Sequence, residues 1–428
     1  MKIPLLKRND FIYIAFLVLL VFTLSSSILF DRDHPRTNPT GYKPFCRLSD
    51  DSPFMWQYNA DSFSRLEAAA YFPEAYNYIT PSVNRPVFPA LAHGIGHVVS
   101  VVVSPVYALD YPYVRGVIGY LILKIGVYFL GGLALLKILK IYMSDRASYL
   151  AAFCVFIHFF CLNMAARYHA GEMQLWNPVF IIFCLLYVRQ HYSLRNLMLF
   201  SFFTGLLMLA KNNYAIVITV FIYALWLKKF KEAAIYAACH ITPLVVWRLT
   251  LTQIDIKWVD GSLSAGHGVP YLEELIAMPL LSSMKQVAMG VEVYLLMLWR
   301  YYMLWIFVFV CAIVVLVKNK KYQQYVPLFF MIFLFWNWAQ LFATRFMTWR
   351  HLTSDLSLYV FGLSSWLLVD YLFKTKHLRL LVMCVVAVTW AWWNIDCYYY
   401  QKWIVVNEGR EENSFDITKR MWIRDSED

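Results

Sequence analysis

The chain has 428 residues, of which 60% are hydrophobic, 18% aromatic and only 15% charged, and its net charge is +11. A soluble globular protein carries about 25% charged residues, so this chain cannot cover a water-exposed surface and its composition predicts a membrane protein. The basic residues lie in short runs between apolar segments and do not gather on one polar face. This distribution argues against a nucleic-acid partner and is typical of membrane orientation signals.

Apolar stretches recur along the whole chain and predict an all-α polytopic protein with about 11 transmembrane helices. The first stretch follows Lys2, Lys7 and Arg8 and has no small-residue cleavage site after it, so we expect an uncleaved anchor and not a signal peptide. The pair within 196–227 is short for a full crossing and could form a half-inserted hairpin. The expected spans lie near 11–30, 116–136, 147–165, 174–189, 196–210, 213–227, 233–251, 295–317, 325–343, 355–373 and 379–397.

Positive charges are more frequent on one side of this layout than on the other. Every short loop on the side of the N-terminus carries at least two Lys or Arg residues, as in Arg189/Arg195 and 228–231. The positive-inside rule therefore predicts that the N-terminus is inside and the C-terminus outside. No usable Asn-x-Ser/Thr acceptor occurs in the sequence, which favours a bacterial or archaeal plasma membrane over the endoplasmic reticulum, and we expect a bacterial inner (plasma) membrane.

The spans divide the chain into segments of different character. The long first outer loop is the main polar region, and within it Pro89 to Tyr107 is apolar enough for a helix. If that helix were a full span, every later loop would lie on the opposite side of the membrane, so we expect it to lie at the membrane interface or to dip into it. The segments are an anchor (1–30), the first outer loop (31–115), a helix bundle (116–251), a second outer loop (252–294), C-terminal helices (295–397) and a polar outer tail (398–428).

Carboxylates at the expected outer face are the first candidates for chemistry, because charge at a membrane face is costly unless it is solvated or used. Asp61 begins the segment 61–70, which is expected to be helical. An Asp there either caps the helix or acts as a general base toward a hydroxyl. Asp50 and Asp51 are the alternatives in the same loop. Glu172 lies in the tight turn between the third and fourth spans, where it is either solvated or functional.

Cations on the same side are candidates for binding a phosphate. Arg85 lies in the motif Asn84-Arg85-Pro86, which is expected to form a rigid turn, and Lys211 follows the fifth span. Arg350 and His351 lie in the segment that connects the ninth and tenth spans. This segment also contains Arg345, and two arginines on the outer side are contrary to the positive-inside rule. A guanidinium offers a planar fork of donors to phosphate oxygens, whereas interfacial snorkelling is the alternative reason for these arginines.

Taken together, these features resemble the GT-C superfamily of integral-membrane glycosyltransferases. That group includes the protein O-mannosyltransferases and the aminoarabinose transferase of lipid A. The resemblance rests on an N-terminal anchor, a long outer loop with an early Asp, an acid in the next outer turn, and the phrases Asn84-Arg85-Pro86, Leu209-Ala210-Lys211 and Arg350-His351-Leu352-Thr353. The chain departs from the family pattern at Ser62, where a second acid commonly follows the first, and after Arg350, where prolines are usual.

The resemblance implies that a sugar moves, with inversion, from a polyprenyl-phosphate donor to a hydroxyl of a lipid, glycan or protein acceptor on the outer face. Asp61 would be the base, Glu172 the second acid and Arg350 the ligand of the carrier phosphate. No clear set of oxygen ligands fixes a metal, so a divalent ion stays an open expectation. The alternatives are a polysaccharide polymerase or ligase with an undecaprenyl-linked substrate, a transporter, which would place charges within its spans and repeat its halves, and an inactive scaffold of the same layout.

Overall fold

A computed structural model describes residues 4–26, 45–47, 55–57, 66–74, 86–104, 112–142, 144–165, 173–210, 227–254 and 375–408. Shorter pieces are described at 220–221, 224–225, 276–285, 287–289, 310–311, 314–315, 368–369 and 371–373. These residues are helical apart from turns and one short antiparallel hairpin. In that hairpin β1 (Phe45–Arg47) pairs with β2 (Met55–Gln57) and Cys46 lies opposite Trp56.

In chain order, the described helices of seven or more residues range from 7 to 33 residues in length and are mostly apolar. They are α1 (Arg8–Ser26), α2 (Val87–Val103), α3 (Pro112–Tyr142), α4 (Asp145–Phe156), α5 (Phe159–Ala165), α6 (Met173–Gln190), α7 (Leu194–Ala210), α8 (Phe230–Gln253) and α9 (Lys376–Glu408). Among the described residues, four helices have the length and apolar composition to cross a membrane, at Arg8–Ser25, Val114–Ile141, Phe230–Gln253 and Lys376–Ile395. With the composition, these helices identify the chain as a membrane protein.

Two compact units make up the chain. The first comprises Met1–Met143 and Cys161–Gly261, and the second comprises Ser144–Phe160 and Ser262–Asp428. The first unit contains α1 to α3, the end of α5, and α6 to α8. The second contains α4, the start of α5, and α9. The predicted spans 295–317, 325–343 and 355–373 lie almost entirely outside the described residues.

In the first unit, α1 runs antiparallel to α3. Asp10 near the start of α1 and Lys140 near the end of α3 form an ion pair with 2.6 Å between carboxylate and ammonium, and both side chains are almost completely buried. The Asp10 carboxylate also accepts a hydrogen bond of 2.7 Å from the Lys7 backbone amide. Phe22, twelve residues after Asp10, meets the ring of Tyr128, twelve residues before Lys140, at 5.4 Å between centroids. The start of α1 and the Tyr142 end of α3 therefore lie at the same end of this helix pair.

Helix α2 packs closely against the first half of α3 in an antiparallel hairpin. A β-carbon placed on Gly96 would overlap the carbonyl of Arg115, and one placed on Gly119 would overlap the carbonyl of Ala92. Such small residues let two backbones approach, which is how helices commonly associate in membranes. The helix predicted from Pro89 to Tyr107 is therefore observed over Val87–Val103, where it packs along α3. Its expected position at the membrane interface stays a prediction.

Helices α7 and α8 form a second close pair. Gly205 of α7 faces the carbonyl of His240 and the ring of Pro243, so a β-carbon would not fit there either. The buried Thr204 hydroxyl donates to the Ser201 carbonyl at 2.7 Å, and its oxygen lies 2.9 Å from His240 Nδ1. Because the hydroxyl proton is already donated, His240 Nδ1 carries the proton of this second bond.

In the second unit, α4 packs against α9. The Trp390 indole donates a 2.8 Å hydrogen bond to the Cys154 carbonyl, and its ring stacks on His158 at 5.5 Å. Trp390 is thus packed inside the protein, whereas its neighbours Trp392 and Trp393 are exposed. Helix α9 continues to Glu408, past the end of the predicted span at residue 397 and into the segment 398–428 that was predicted as a polar tail.

Candidate functional site

The eight predicted site residues all lie outside the described residues. Asp50 and Asp51 fall in the connection 48–54 between β1 and β2, in a hairpin that was not predicted. The others are Asp61, Arg85, Glu172, Lys211, Arg350 and His351. The structure does describe chain that flanks two of the predicted acids, Asp61 and Glu172, and this flanking chain shows which part of the molecule the two acidic segments adjoin.

Residues 66–70, the described part of the predicted helix 61–70, form a short helical turn held between α2 and α3. His93 of α2 donates from Nδ1 to the Ala69 carbonyl at 2.8 Å. On the other side, a β-carbon on Gly116 of α3 would lie 3.3 Å from the Leu66 carbonyl oxygen and from the Ala70 amide nitrogen. The chain leaving the Asp61 segment is therefore packed against the Pro112 end of α3.

The chain entering the Glu172 turn is held by two buried side chains of α3. Lys124, which is 1% exposed, donates to the Met164 carbonyl at 2.5 Å, and Tyr128, which is fully buried, donates to the Cys161 carbonyl at 2.9 Å. Lys124 and Tyr128 are four residues apart and so lie on one face of α3. We call this pair, with its two carbonyl acceptors in α5, the α3–α5 clamp.

Lys124 of the clamp supplies a hydrogen-bond donor to the end of α5, where one is needed. Helix α5 ends at Ala165, and the last four carbonyls of a helix have no amide partner within it. In an apolar environment a carbonyl without a donor costs several kcal/mol, about as much as a lost hydrogen bond in hydrocarbon. An ammonium at this end also complements the partial negative charge of the helix C-terminus. Lys124 therefore stabilises an ending of α5 that lipid alone would disfavour.

The chain leaving the Glu172 turn is held on the same helix. Met173 and Trp176 at the start of α6 are buried, and the Trp176 ring meets Tyr128 edge-on at 5.4 Å. A β-carbon on Gly131 would overlap the Trp176 ring, so this glycine makes room for the indole. The described residues on both sides of the stretch 166–172 thus pack on one face of α3, beside the clamp.

These contacts bring the flanks of two acidic segments to one region of α3. Gly116, where the 66–70 turn packs, and Lys124 of the clamp are eight residues apart, or about 12 Å along the helix. Lys124 is about 24 Å from Lys140, whose ion pair marks the opposite end of α3. The region combines the buried Lys124, buried tyrosines at 120 and 128, and the described residues that flank the Asp61 and Glu172 segments.

Lys124 was not among the predicted site residues, although the sequence contains a signal for it. It is the one charged residue within the expected span 116–136, and Tyr120 and Tyr128 lie four residues to either side. An ionisable residue inside a span is costly and is by default a functional candidate. The carbonyls that accept its bond could not be read from the sequence, because they belong to the backbone of another helix.

Metal binding finds no support among the described residues, where no three His, Cys, Asp or Glu side chains come together. His93 and His97 share a face of α2, but His93 is engaged by the Ala69 carbonyl and His97 is exposed. The acids that would serve a divalent ion in the expected site, Asp61 and Glu172, lie outside the described part of the chain.

Similarity to known proteins was sought at three levels. Comparison with protein-family models, with curated proteins and with solved structures found no match.

Proposed function

We propose that this chain is a GT-C-like membrane glycosyltransferase with about 11 spans, and that it lies in a bacterial inner membrane with its N-terminus inside. It moves a sugar from a polyprenyl-phosphate donor to an acceptor hydroxyl on the outer face. The observation that carries the proposal is the arrangement at α3, where the described flanks of the Asp61 and Glu172 segments pack on one region of a single apolar helix. A transferase needs its base and its second acid within reach of one substrate.

In the proposed reaction, the Asp61 carboxylate accepts the proton of the acceptor hydroxyl. The acceptor oxygen then forms a bond to the anomeric carbon of the sugar. The bond between that carbon and the carrier phosphate oxygen breaks, and its electron pair leaves with the phosphate. Because attack and departure occur on opposite sides of the carbon, the product has the inverted configuration. Glu172 orients the acceptor hydroxyl.

The leaving polyprenyl phosphate gains negative charge as this bond breaks, so cations stabilise the transition state more than the bound donor. Arg350 is the proposed main partner, with Arg85, Lys211 and His351 as further donors. These groups act most strongly where water is excluded, because the effective dielectric constant is low there. Apolar helices around such a site would exclude water from it at a membrane face.

The test is transfer of labelled sugar from a panel of polyprenyl-phosphate donors by the purified full-length protein. Asp61→Asn should reduce turnover by about 10²–10⁴-fold, since general-base assistance contributes about that much. Asp50→Asn and Asp51→Asn should retain most of the turnover, and Glu172→Gln should lose an intermediate amount.

A control variant and three further outcomes show which part of the proposal would be wrong. Asp145→Asn removes an exposed acid at the start of α4 and should transfer sugar like the wild type. Normal turnover by a folded Asp61→Asn variant would move the base to Asp50 or Asp51. Absence of both transfer and donor hydrolysis with every donor would contradict the proposed reaction. Products that lengthen by repeated addition would instead favour a polymerase.

One observation favours transport as a second candidate function. Lys124 is a buried charge inside a helix long enough to span the membrane, and such residues often mark substrate or ion pathways. A transporter would move a labelled substrate into sealed proteoliposomes without changing it, and Lys124→Met would abolish that uptake. Chemical conversion of the donor, with no net uptake, would exclude this alternative.

A further inference from the structure

A cluster of positive charge lies where α6 ends and where α7 and α8 begin, away from the candidate site. Five exposed basic side chains lie in these two connections or within two residues of them, and we call them the basic surface: Arg189, Arg195, Lys228, Lys229 and Lys231. Glu232 is the one acidic residue in the segments 187–196 and 227–236. The surface therefore carries an excess of positive charge from two separate stretches of chain.

The connection between α6 and α7 has a defined structure. Ser193 caps α7, because its hydroxyl oxygen accepts a 3.1 Å hydrogen bond from the Asn196 amide, three residues into the helix. The Asn196 side chain in turn donates to the His191 carbonyl at 2.6 Å. These local bonds hold the connection in one conformation, although its residues are exposed.

The connection before α8 contains a backbone conformation that side chains normally avoid. Lys228 has a φ of 57°, in the left-handed region. Its amide bonds the Leu225 carbonyl at 2.8 Å, and the Lys229 amide bonds the Ala224 carbonyl at 3.0 Å. This pair of bonds is the usual ending of a helix whose left-handed position is filled by glycine. A lysine is used here instead, at a conformational cost that glycine would avoid.

Contacts between the two connections join them into one surface. The Lys229 ammonium lies 5.8 Å from the centroid of the Tyr192 ring, and the Tyr192 hydroxyl donates to the Glu232 carboxylate at 3.4 Å. Desolvation, and then the neighbouring Glu232 charge, raises the pKa of the Tyr192 phenol, so it stays a neutral donor. The single acid is thus engaged by a tyrosine within the surface.

The five cations of the basic surface repel one another, and the single Glu232 carboxylate does not neutralise them. Large apolar side chains lie among them and are also exposed, namely Leu194 (52%), Leu227 (49%) and Phe230 (66%). A free phosphate would satisfy the cations and leave these apolar groups in water. An anionic phospholipid would satisfy both, because its phosphate faces the cations while its acyl chains cover the apolar groups.

We propose that the basic surface binds the headgroups of anionic phospholipids at one face of the membrane. The cations contact the phosphates, and Leu194, Leu227 and Phe230 contact the acyl chains. This inference does not depend on the sugar-transfer reaction, because it uses none of the predicted site residues.

The test is titration of the purified full-length protein in neutral detergent with phosphatidylglycerol, while bound lipid is counted by native mass spectrometry. The variant Arg195→Gln/Lys229→Gln/Lys231→Gln removes three charges from the surface. Each basic side chain near an anionic surface strengthens association by about fivefold, the equivalent of about 1 kcal/mol. The triple variant should therefore bind phosphatidylglycerol about a hundredfold more weakly than the wild type.

A charge-matched control is available elsewhere on the chain. Arg146→Gln/Lys285→Gln/Lys376→Gln removes the same charge from exposed positions and should bind like the wild type. Should the surface variant fail to fold, Lys229→Gln alone carries the same comparison, with an expected loss of about fivefold. Equal loss in both triple variants, equal binding of phosphatidylcholine, or competition by inorganic phosphate at millimolar concentration would overturn the proposal.

Discussion

At the scale of single residues, the α3–α5 clamp is the feature with the sharpest consequences. Lys124 donates to the Met164 carbonyl in the last turn of α5 and Tyr128 donates to the Cys161 carbonyl three residues earlier, and neither bond is visible in the pattern of apolar residues. The sequence shows only a lysine and two tyrosines at helical spacing within a long apolar run. Two substitutions separate the contributions of the charge and the hydroxyl.

Tyr128→Phe should lower the free energy of unfolding by about 1 kcal/mol, because it removes one hydrogen bond and keeps the ring. The ring contacts with Phe22 and Trp176 remain in place. Thermal unfolding can be followed by the reaction of buried Cys154 and Cys161 with a thiol-specific dye. Tyr187→Phe, at an exposed position of α6, is the control and should unfold like the wild type. Equal stability of Tyr128→Phe and wild type would contradict the clamp.

Lys124→Met should also destabilise the chain, by about 1–2 kcal/mol. The variant loses a bond from a charged donor, worth about 1.5–3 kcal/mol, but no longer has to bury an ammonium. Lys137→Met is the matched control on the same helix, where the ammonium lies 5.4 Å over the Phe183 ring and a smaller loss is expected. A Lys124→Met variant more stable than the wild type would show that the buried charge serves function at the expense of stability.

At the scale of elements, close backbone packing at glycines is expected to stabilise the helical hairpin of α2 and α3. Gly96→Ala should destabilise it by about 1–3 kcal/mol, since the new methyl would overlap the Arg115 carbonyl. Gly94→Ala, two residues away on the same helix, meets nothing within 4 Å and should be neutral or slightly stabilising. The thermal unfolding assay compares the two, and equal midpoints would contradict the close approach of α2 and α3.

The ion pair between α1 and α3 gives a second prediction at this scale. Asp10→Asn leaves the Lys140 ammonium buried without its counter-charge, so a loss of about 3–5 kcal/mol is expected. The double variant Asp10→Asn/Lys140→Met removes both charges and should recover most of the loss. If the double variant is no more stable than the single one, the two charges do not interact as the structure shows.

At the scale of the whole molecule, sequence reasoning located helices better than their ends. Long apolar runs predicted α1, α3, α8 and α9, but α3 extends from Pro112 to Tyr142 around the expected span 116–136. Hydropathy marks the part of a helix that suits lipid, whereas Arg115 and Lys137 continue the same helix beyond it. The expected count of about 11 spans stays a prediction, since several of those spans lie outside the described residues.

Tertiary features were less accessible to sequence reasoning. The β1–β2 hairpin has three-residue strands, too short for a periodic pattern. The placement of α2 along α3 depends on glycines at 96 and 119, and their role appears only once the two helices are paired. The predicted acids and arginines stay predictions, while the clamp that flanks the Glu172 turn emerged from the fold.

The most direct test of the account is transfer in sealed proteoliposomes that contain the full-length protein in one known orientation. The labelled polyprenyl-phosphate donor and the acceptor are supplied together on one side of the membrane or on the other. The account predicts that transfer occurs only with both substrates on the expected outer face, and that it disappears in a folded Asp61→Asn variant. Transfer from the opposite face, or undiminished transfer by Asp61→Asn, would contradict it.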